Sequence, residues 1–370
     1  MLYSFGVSNY RSIQDALLPL SWPGKRVPAH YSDYPSVLFV EDGKRRAVPL
    51  VVIYGANSSG KSTLLSALKD YVSLMREGIG KVKYTPDRFL SVDGTTFRAE
   101  IVVRGRLYSH SITFNKSEIL SESLKEEDES VLLIENGNLK KGSASFQSCL
   151  DEKGRQILSV VTSMMGDSFA SALGEGTVFF NPFSYSVSDC FSHYVSISGK
   201  KREECLKNIT ALARKLDLTI DDIRDGDEWQ TEHTDSKKRE IWFSLEEESE
   251  GTKRLFALLS VILSSLSSGG ILVIDEIDTS LHSIVLRQLV SLFLDKRYNT
   301  TGAQLVCSSH NTDLLDAPFI QKCEIAFFEK TKKKGSVVAR LSEIEGVRSL
   351  SSFRTDYLEG RFSGIPFPYI

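Results

Sequence analysis

The sequence has no long hydrophobic run. Its most apolar stretches, such as residues 270–274, fall far short of the roughly 20 residues that a helix needs to cross a bilayer, so no membrane role is expected. Cysteine is sparse: the five residues at 149, 190, 205, 307 and 323 are widely spaced, with no C-x-x-C pair. That excludes a disulfide framework and a zinc ribbon and fits reduced thiols. An excess of one charge is lacking too. The formal net charge of −3 argues against a chain that wraps nucleic acid by bulk attraction. The opening MLYSFGVSNYRSIQD has no basic stretch followed by an apolar one, so a cytoplasmic location is expected. Neither a short-period repeat nor a heptad array is present, which excludes a long coiled-coil arm. What remains is an ordinary globular composition over 370 residues, enough for one large domain or two smaller ones.

The most informative stretch is VPLVVIYGANSSGKST, residues 48–63. Val51, Val52 and Ile53 read as a buried strand, and Gly55-Ala56-Asn57-Ser58-Ser59-Gly60-Lys61-Ser62-Thr63 then matches the phosphate-loop pattern G-x-x-x-x-G-K-[ST]. The spacing has a physical reason. Gly55 and Gly60 let the backbone take positive φ and turn its N–H groups toward a phosphate. Lys61 brings a point charge to the β- and γ-phosphates, Ser62 a hydroxyl for Mg²⁺, and the following helix its positive end. Leu64, Leu68 and Tyr71 form an apolar stripe at helical spacing, as that reading requires.

A strand, a turn and a second strand are predicted over residues 1–20, a brief strand at 37–40, and further strands at 96–103, 107–115 and 131–135, with hairpin-like turns at 92–94 and 104–106. Helices are predicted over 155–169 and 201–216. This gives a three-part organisation: 1–135 with the phosphate loop, 136–240 as an inserted, mainly helical region, and 241–370 as the second half of the nucleotide core. The expected fold class is α/β, with a parallel core sheet and a mixed or antiparallel N-terminal sheet.

Residues 270–276, GILVIDE, read as a short central strand ending in two acids. Such a pair can be a simple turn signal. Behind a phosphate loop it reads as Asp275 holding Mg²⁺ and Glu276 activating the attacking water. A further apolar strand, 304–307, ends in Ser308-Ser309-His310-Asn311. His310 is either a satisfied structural histidine or a group that reaches the γ-phosphate.

These pieces, in this order, resemble the ATP-binding-cassette ATPase domain of structural-maintenance, RecF and Rad50 proteins. They are most similar to the stand-alone abortive-infection and OLD-like (overcoming-lysogenization-defect) ATPases of bacteria. The resemblance rests on Asn9-Tyr10-Arg11-Ser12-Ile13, the phosphate loop, Ser249-Glu250-Gly251-Thr252-Lys253-Arg254, residues 274–278, Ser309-His310, and the tail 357–366; it leaves the middle of the chain unexplained. It implies that Ser249 and the Gly251 amide stand where the cassette signature stands, one glycine and the glutamine short of it, and contact the ATP held by a second copy. A plain helix N-cap at Ser249 is compatible with that role. The implied active unit is a homodimer, or a higher homo-oligomer, around two ATP molecules and Mg²⁺.

The glutamine that senses Mg²⁺ in cassettes has no evident counterpart. Relatives of the OLD type often carry a C-terminal Toprim nuclease, and the 60 residues after His310 hold no such constellation. The resemblance therefore implies a separate effector, a nuclease or toxin, as in PARIS, Septu and retron-associated anti-phage systems. The other expectation is an ATPase that clamps nucleic acid through Lys81, Lys83, Arg88, Arg104 and Arg106 or through residues 330–334. A small-molecule kinase would need neither the signature segment nor the histidine.

Overall fold

The computed structural model describes residues 1–24, 38–39, 46–87, 93–103, 105–143, 145–147, 159–161, 177–181, 183–216, 220–225, 229–331, 335–344 and 352–362. The predicted helix at 155–169 lies outside these apart from 159–161, as do residues 363–366 of the tail, Arg88, Arg104 and Lys332–Lys334.

Two sheets carry the molecule. The central one has the order β11 (Val178–Phe180), β15 (Ile271–Ile274), β16 (Gln304–Ser308), β5 (Leu50–Gly55), β17 (Ile325–Thr331), β18 (Gly335–Arg340). All neighbours are parallel except the β17–β18 hairpin. Its strands are apolar on both faces because both faces are covered. Val51, Ile53, Val273 and Val306 point into one core, which contains Leu64, Leu68 and Tyr71 of α1 (Lys61–Glu77). Leu50, Val52, Tyr54, Leu272, Ile274 and Cys307 point into the other, against α4 (Glu250–Ser268) and α5 (Ser283–Leu294).

The second sheet is antiparallel throughout, in the order β10 (Asn138–Lys141), β9 (Glu129–Glu135), β8 (Ile119–Glu126), β7 (Arg106–Phe114), β6 (Thr95–Val103), β1 (Leu2–Tyr10), β2 (Ile13–Pro19). The strands at 96–103, 107–115 and 131–135 are there as expected, and β8 and β10 are additional. β8 escapes the apolar alternation because Glu122 occupies a core position. That carboxylate is satisfied: His110 Nε2 lies 3.2 Å from Glu122 Oε1, and the Val160 N–H donates to Oε2 at 2.8 Å. His110 Nδ1 in turn meets the Tyr71 hydroxyl of α1 at 2.9 Å. A buried hydrogen-bonded chain thus ties α1 to the segment 159–161.

The stretch 136–240, expected as a helical insertion, holds α2 (Val187–Ser198) and α3 (Arg202–Lys215). It also supplies β11 to the central sheet, β12 (Asp222–Asp225) and β13 (Trp229–Thr234). The last two join β14 (Glu240–Ser244) in a three-stranded antiparallel sheet. Strands β3 (Leu38–Phe39) and β4 (Arg46–Ala47) form a short hairpin, and α6 is Phe353–Leu358. No described helix is long and apolar enough to cross a membrane.

One buried acid in this fold is a stability lever. Glu324 is fully buried; its Oε2 accepts the Gln321 N–H at 2.8 Å, and its Oε1 has no partner among the described residues. Burial raises its pKa well above the usual carboxylate range, against the lowering effects of the Gln321 N–H and of Arg340. Between its unfolded and folded pKa the native state binds the extra proton, so this group's contribution to stability falls as pH rises. Glu324→Gln, which mimics the protonated acid, is expected to melt above the parent at alkaline pH and beside it near pH 4, as thermal unfolding at the two pH values will register.

Candidate functional site

The parallel strands end at one edge, and their register puts the predicted site residues side by side there. Phe180 pairs with Ile274, Ile274 with Cys307, and Ser308 with Ile53. The residues that follow these positions, Asn181, Asp275-Glu276, Ser309-His310 and Tyr54-Gly55, therefore emerge together. Crevices at the carboxyl ends of such strands are where open α/β sheets bind ligands.

The phosphate loop is held by close packing that only glycine permits. Gly55 has φ +154° and Gly60 φ +119°. A Cβ at Gly55 would lie 2.4 Å from the Phe328 carbonyl oxygen, and one at Gly60 would lie 2.7 Å from Ser336 Oγ. Ser336 Oγ also donates to the Ser59 carbonyl at 2.7 Å, so β17 and β18 brace the loop from behind. Asn57 and Ser58 are exposed at its tip, Ala56 is half-buried, and Ser58 takes φ +64°.

Lys61 is buried, and its Nζ donates to the carbonyls of Gly55 (2.6 Å) and Ala56 (3.0 Å). Burial lowers its pKa, while Asp275, Glu276 and Asp278 act in the opposite direction. The cation thus faces the acids across the crevice. Ser62 is exposed at the start of α1, and Thr63 is half-buried behind it.

At the end of β15 the backbone is unusual. Glu276 has φ +51°, a conformation that costs a non-glycine residue on the order of 1–3 kcal/mol. Two contacts hold it. The Glu276 N–H donates to Ser308 Oγ at 2.7 Å, while that hydroxyl donates to Asp275 Oδ1. From the other side, Arg254 Nη2 donates to the Glu276 carbonyl at 2.8 Å. The Glu276 carboxylate is left half-buried, with only a long contact, 3.4 Å, from Thr279 Oγ1. His310 is exposed, and its backbone N–H donates to both oxygens of Asp278 at 3.1 and 3.3 Å.

Asp275 and Ser62 line one cleft of about 240 Å³ together with Ser66, Lys69, Asn181 and Phe183. A hydroxyl, a carboxylate and a carboxamide in one cleft are hard oxygen donors of the kind Mg²⁺ takes. In the neighbouring loop Lys61 supplies the charge that a triphosphate takes. Asn181 was not foreseen: three residues of strand, 178–180, are too short to show a period. Arg254, Asp278 and Ser308 were also quoted in the sequence without a role, and only the packing gives them one.

Ser249 and Gly251 sit apart from this cluster. Ser249 is the N-cap of α4, its Oγ accepting the Thr252 N–H at 3.1 Å and meeting Thr252 Oγ1 at 2.9 Å. Gly251 packs against the turn after β15; a Cβ there would come within 3.1 Å of the Ser280 carbonyl oxygen. Within one chain the exposed tip of α4 meets this turn, and through Arg254 one helical turn on it also touches the backbone of Glu276.

A family model described as "AAA domain, putative AbiEii toxin, Type IV TA system" matches residues 50–160 and 195–316. Among solved structures the chain is similar to an SMC head domain from Thermotoga maritima, with 13% identity over 92% of this chain and 98% of that one and a TM-score of 0.49. It is also similar to an SmcHead bound to the C-winged helix domain of ScpA, with 13% identity over 91% and 97% and a TM-score of 0.51. The likeness to the SmcHead is one of fold. No curated protein matches the chain.

Proposed function

The chain belongs to the AAA-domain family of AbiEii type, and we propose that it binds and hydrolyses ATP with Mg²⁺ between two copies of itself, and that this cycle controls a separate effector in bacterial anti-phage defence. The observation that carries the nucleotide chemistry is the meeting of Lys61, Ser62, Asp275 and Glu276 at one sheet edge. In this reading residues 55–63 cradle the triphosphate, and Ser62 and Asp275, with Asn181 beside them, hold the metal. Mg²⁺ supplies charge neutralisation on the phosphate oxygens. Glu276 takes the proton of the attacking water, and His310 contacts the γ-phosphate.

The second half of the site comes from the partner copy. The Ser249 hydroxyl and the Gly251 amide form an exposed helix N-terminus, an anion-binding feature that finds no phosphate loop within its own chain. A head-to-tail pair that faces each tip toward the other copy's loop supplies one. Partner binding by a relative is on record, since one similar head is bound to a winged-helix domain.

The effector reading is tested against a nucleic-acid clamp by salt. A scaffold co-purifies with a protein encoded beside it whether the wash contains low or high salt. A clamp instead binds duplex DNA with an affinity that falls steeply as salt is added, and its ATP turnover rises with DNA. DNA-stimulated turnover without a salt-resistant protein partner would replace the effector reading with the clamp.

A further inference from the structure

The three-stranded sheet β12-β13-β14 ends in an open edge. β14 pairs with β13 on one side and, among the described residues, with no strand on the other. An edge of this kind exposes a row of N–H and C=O groups able to accept another strand. Register places Ile241 opposite His233 and Phe243 opposite Thr231, on the same face as buried Ile223. Ile241 and Phe243 point toward the core side yet remain 38% and 37% exposed. Another strand beside β14 would cover them.

Beyond the end of β14 the edge opens into a pocket of about 660 Å³, lined by Phe183, Tyr185, Trp229, Leu245, Glu246 and Glu250, among others. Phe183 stands 71% exposed at its rim. Aromatic faces combined with carboxylates form a receptor for a cationic side chain. The chain around it is mostly acidic, with Lys253 the one cation among the pocket's described lining residues. Residues 240–250, EIWFSLEEESE, hold five glutamates and no basic residue. Lys253 reaches Glu250 and Glu246 at 3.0 and 3.4 Å, one cation shared between two of them.

From this geometry we propose that β14 and the adjoining pocket are the docking site for an extended, arginine- or lysine-bearing segment of a partner protein, which adds a strand to the sheet and places a basic side chain between Tyr185, Trp229 and the carboxylates. A second copy of this chain is the competing occupant, and the dependence of β14 protection on the chain's own concentration separates it from a partner segment. The site lies close to the proposed catalytic cycle: four residues separate Ser244 from Ser249 at the tip of α4. A strand that orders β14 would bear directly on that tip. The surface itself does not depend on the ATPase reading, and it is tested without nucleotide.

The probe is a short fluorescein-labelled peptide alternating valine with arginine, compared with the same peptide carrying glutamate for arginine, on the full chain at physiological salt. The expected result is saturable anisotropy for the arginine peptide, at least about 10-fold tighter than for the glutamate one, with slowed amide exchange confined to Glu240–Ser244. Ile241→Lys with Phe243→Lys should abolish the binding and leave ATP turnover unchanged. Glu246→Ala, at an exposed position, should weaken it without affecting the fold. Equal binding of both peptides, binding without protection of β14, binding undiminished in both variants, or β14 protection that depends only on the chain's own concentration would overturn the proposal.

Discussion

Glu276→Gln is expected to bind ATP as tightly as the parent and to hydrolyse it on the order of 10²–10³ times more slowly. The reason is local. Among the described residues the Glu276 carboxylate has only the 3.4 Å contact with Thr279, so its amide replacement disturbs no described packing. The contacts that fix the residue run through its N–H to Ser308 Oγ and through its carbonyl to Arg254, and both survive the substitution. Proton acceptance is lost while the phosphate loop is untouched. Lys61→Ala is the contrasting case. It removes the buried cation that faces three acids, together with its hydrogen bonds to the Gly55 and Ala56 carbonyls, so nucleotide binding itself should disappear. Equilibrium binding of a fluorescent ATP analogue beside phosphate release separates the two. Equal loss of binding in both variants would remove Glu276 from the chemistry.

Arg254→Ala should lower kcat by about 10- to 100-fold with little change in ATP affinity. Arg254 is 2% exposed in the body of α4, and burial pulls its pKa down against the nearby Tyr185, Asp278 and Glu276. Its one described hydrogen bond goes to the Glu276 carbonyl, and Glu276 occupies a backbone region that needs holding. Without that bond the positive-φ turn can relax and carry the carboxylate away from the water. The arginine thereby couples the helix whose tip carries Ser249 to the glutamate of its own chain. Removing a buried charge can also cost the fold, so Arg254→Lys is the control. It keeps a donor and should turn over at a rate between parent and alanine variant, with the parent's melting temperature. A parent-like kcat in a folded Arg254→Ala protein would show that the contact positions nothing.

Much of this site was legible in the sequence because phosphate binding by backbone demands glycines and a lysine at fixed spacing. Gly55 and Gly60 both take positive φ, and their Cβ positions are blocked by Phe328 and Ser336. The central strands were legible for a related reason: a sheet buried on both faces needs continuous apolar runs, as at residues 271–274 and 304–307. Other elements were hidden. β8 carries a glutamate in the core, tolerable only because His110 and the 159–161 segment satisfy it, and no sequence pattern announces such long-range pairing. β11 is a three-residue strand, so Asn181 stayed invisible until Phe180 was seen beside Ile274. β12 and β13 lie in a charged stretch, residues 221–240, whose acidic and basic residues hide the strand alternation.

The central claim is that ATP joins two copies, each offering its phosphate loop to one nucleotide and the tip of α4 to the other. The most direct measurement is the solution mass of Glu276→Gln by light scattering, with and without ATP and Mg²⁺. The account predicts a mass that doubles on adding ATP and fails to do so when Ser249→Arg is introduced into the same protein. A mass indifferent to ATP in both proteins, with the parent's turnover per chain constant on dilution, would contradict it.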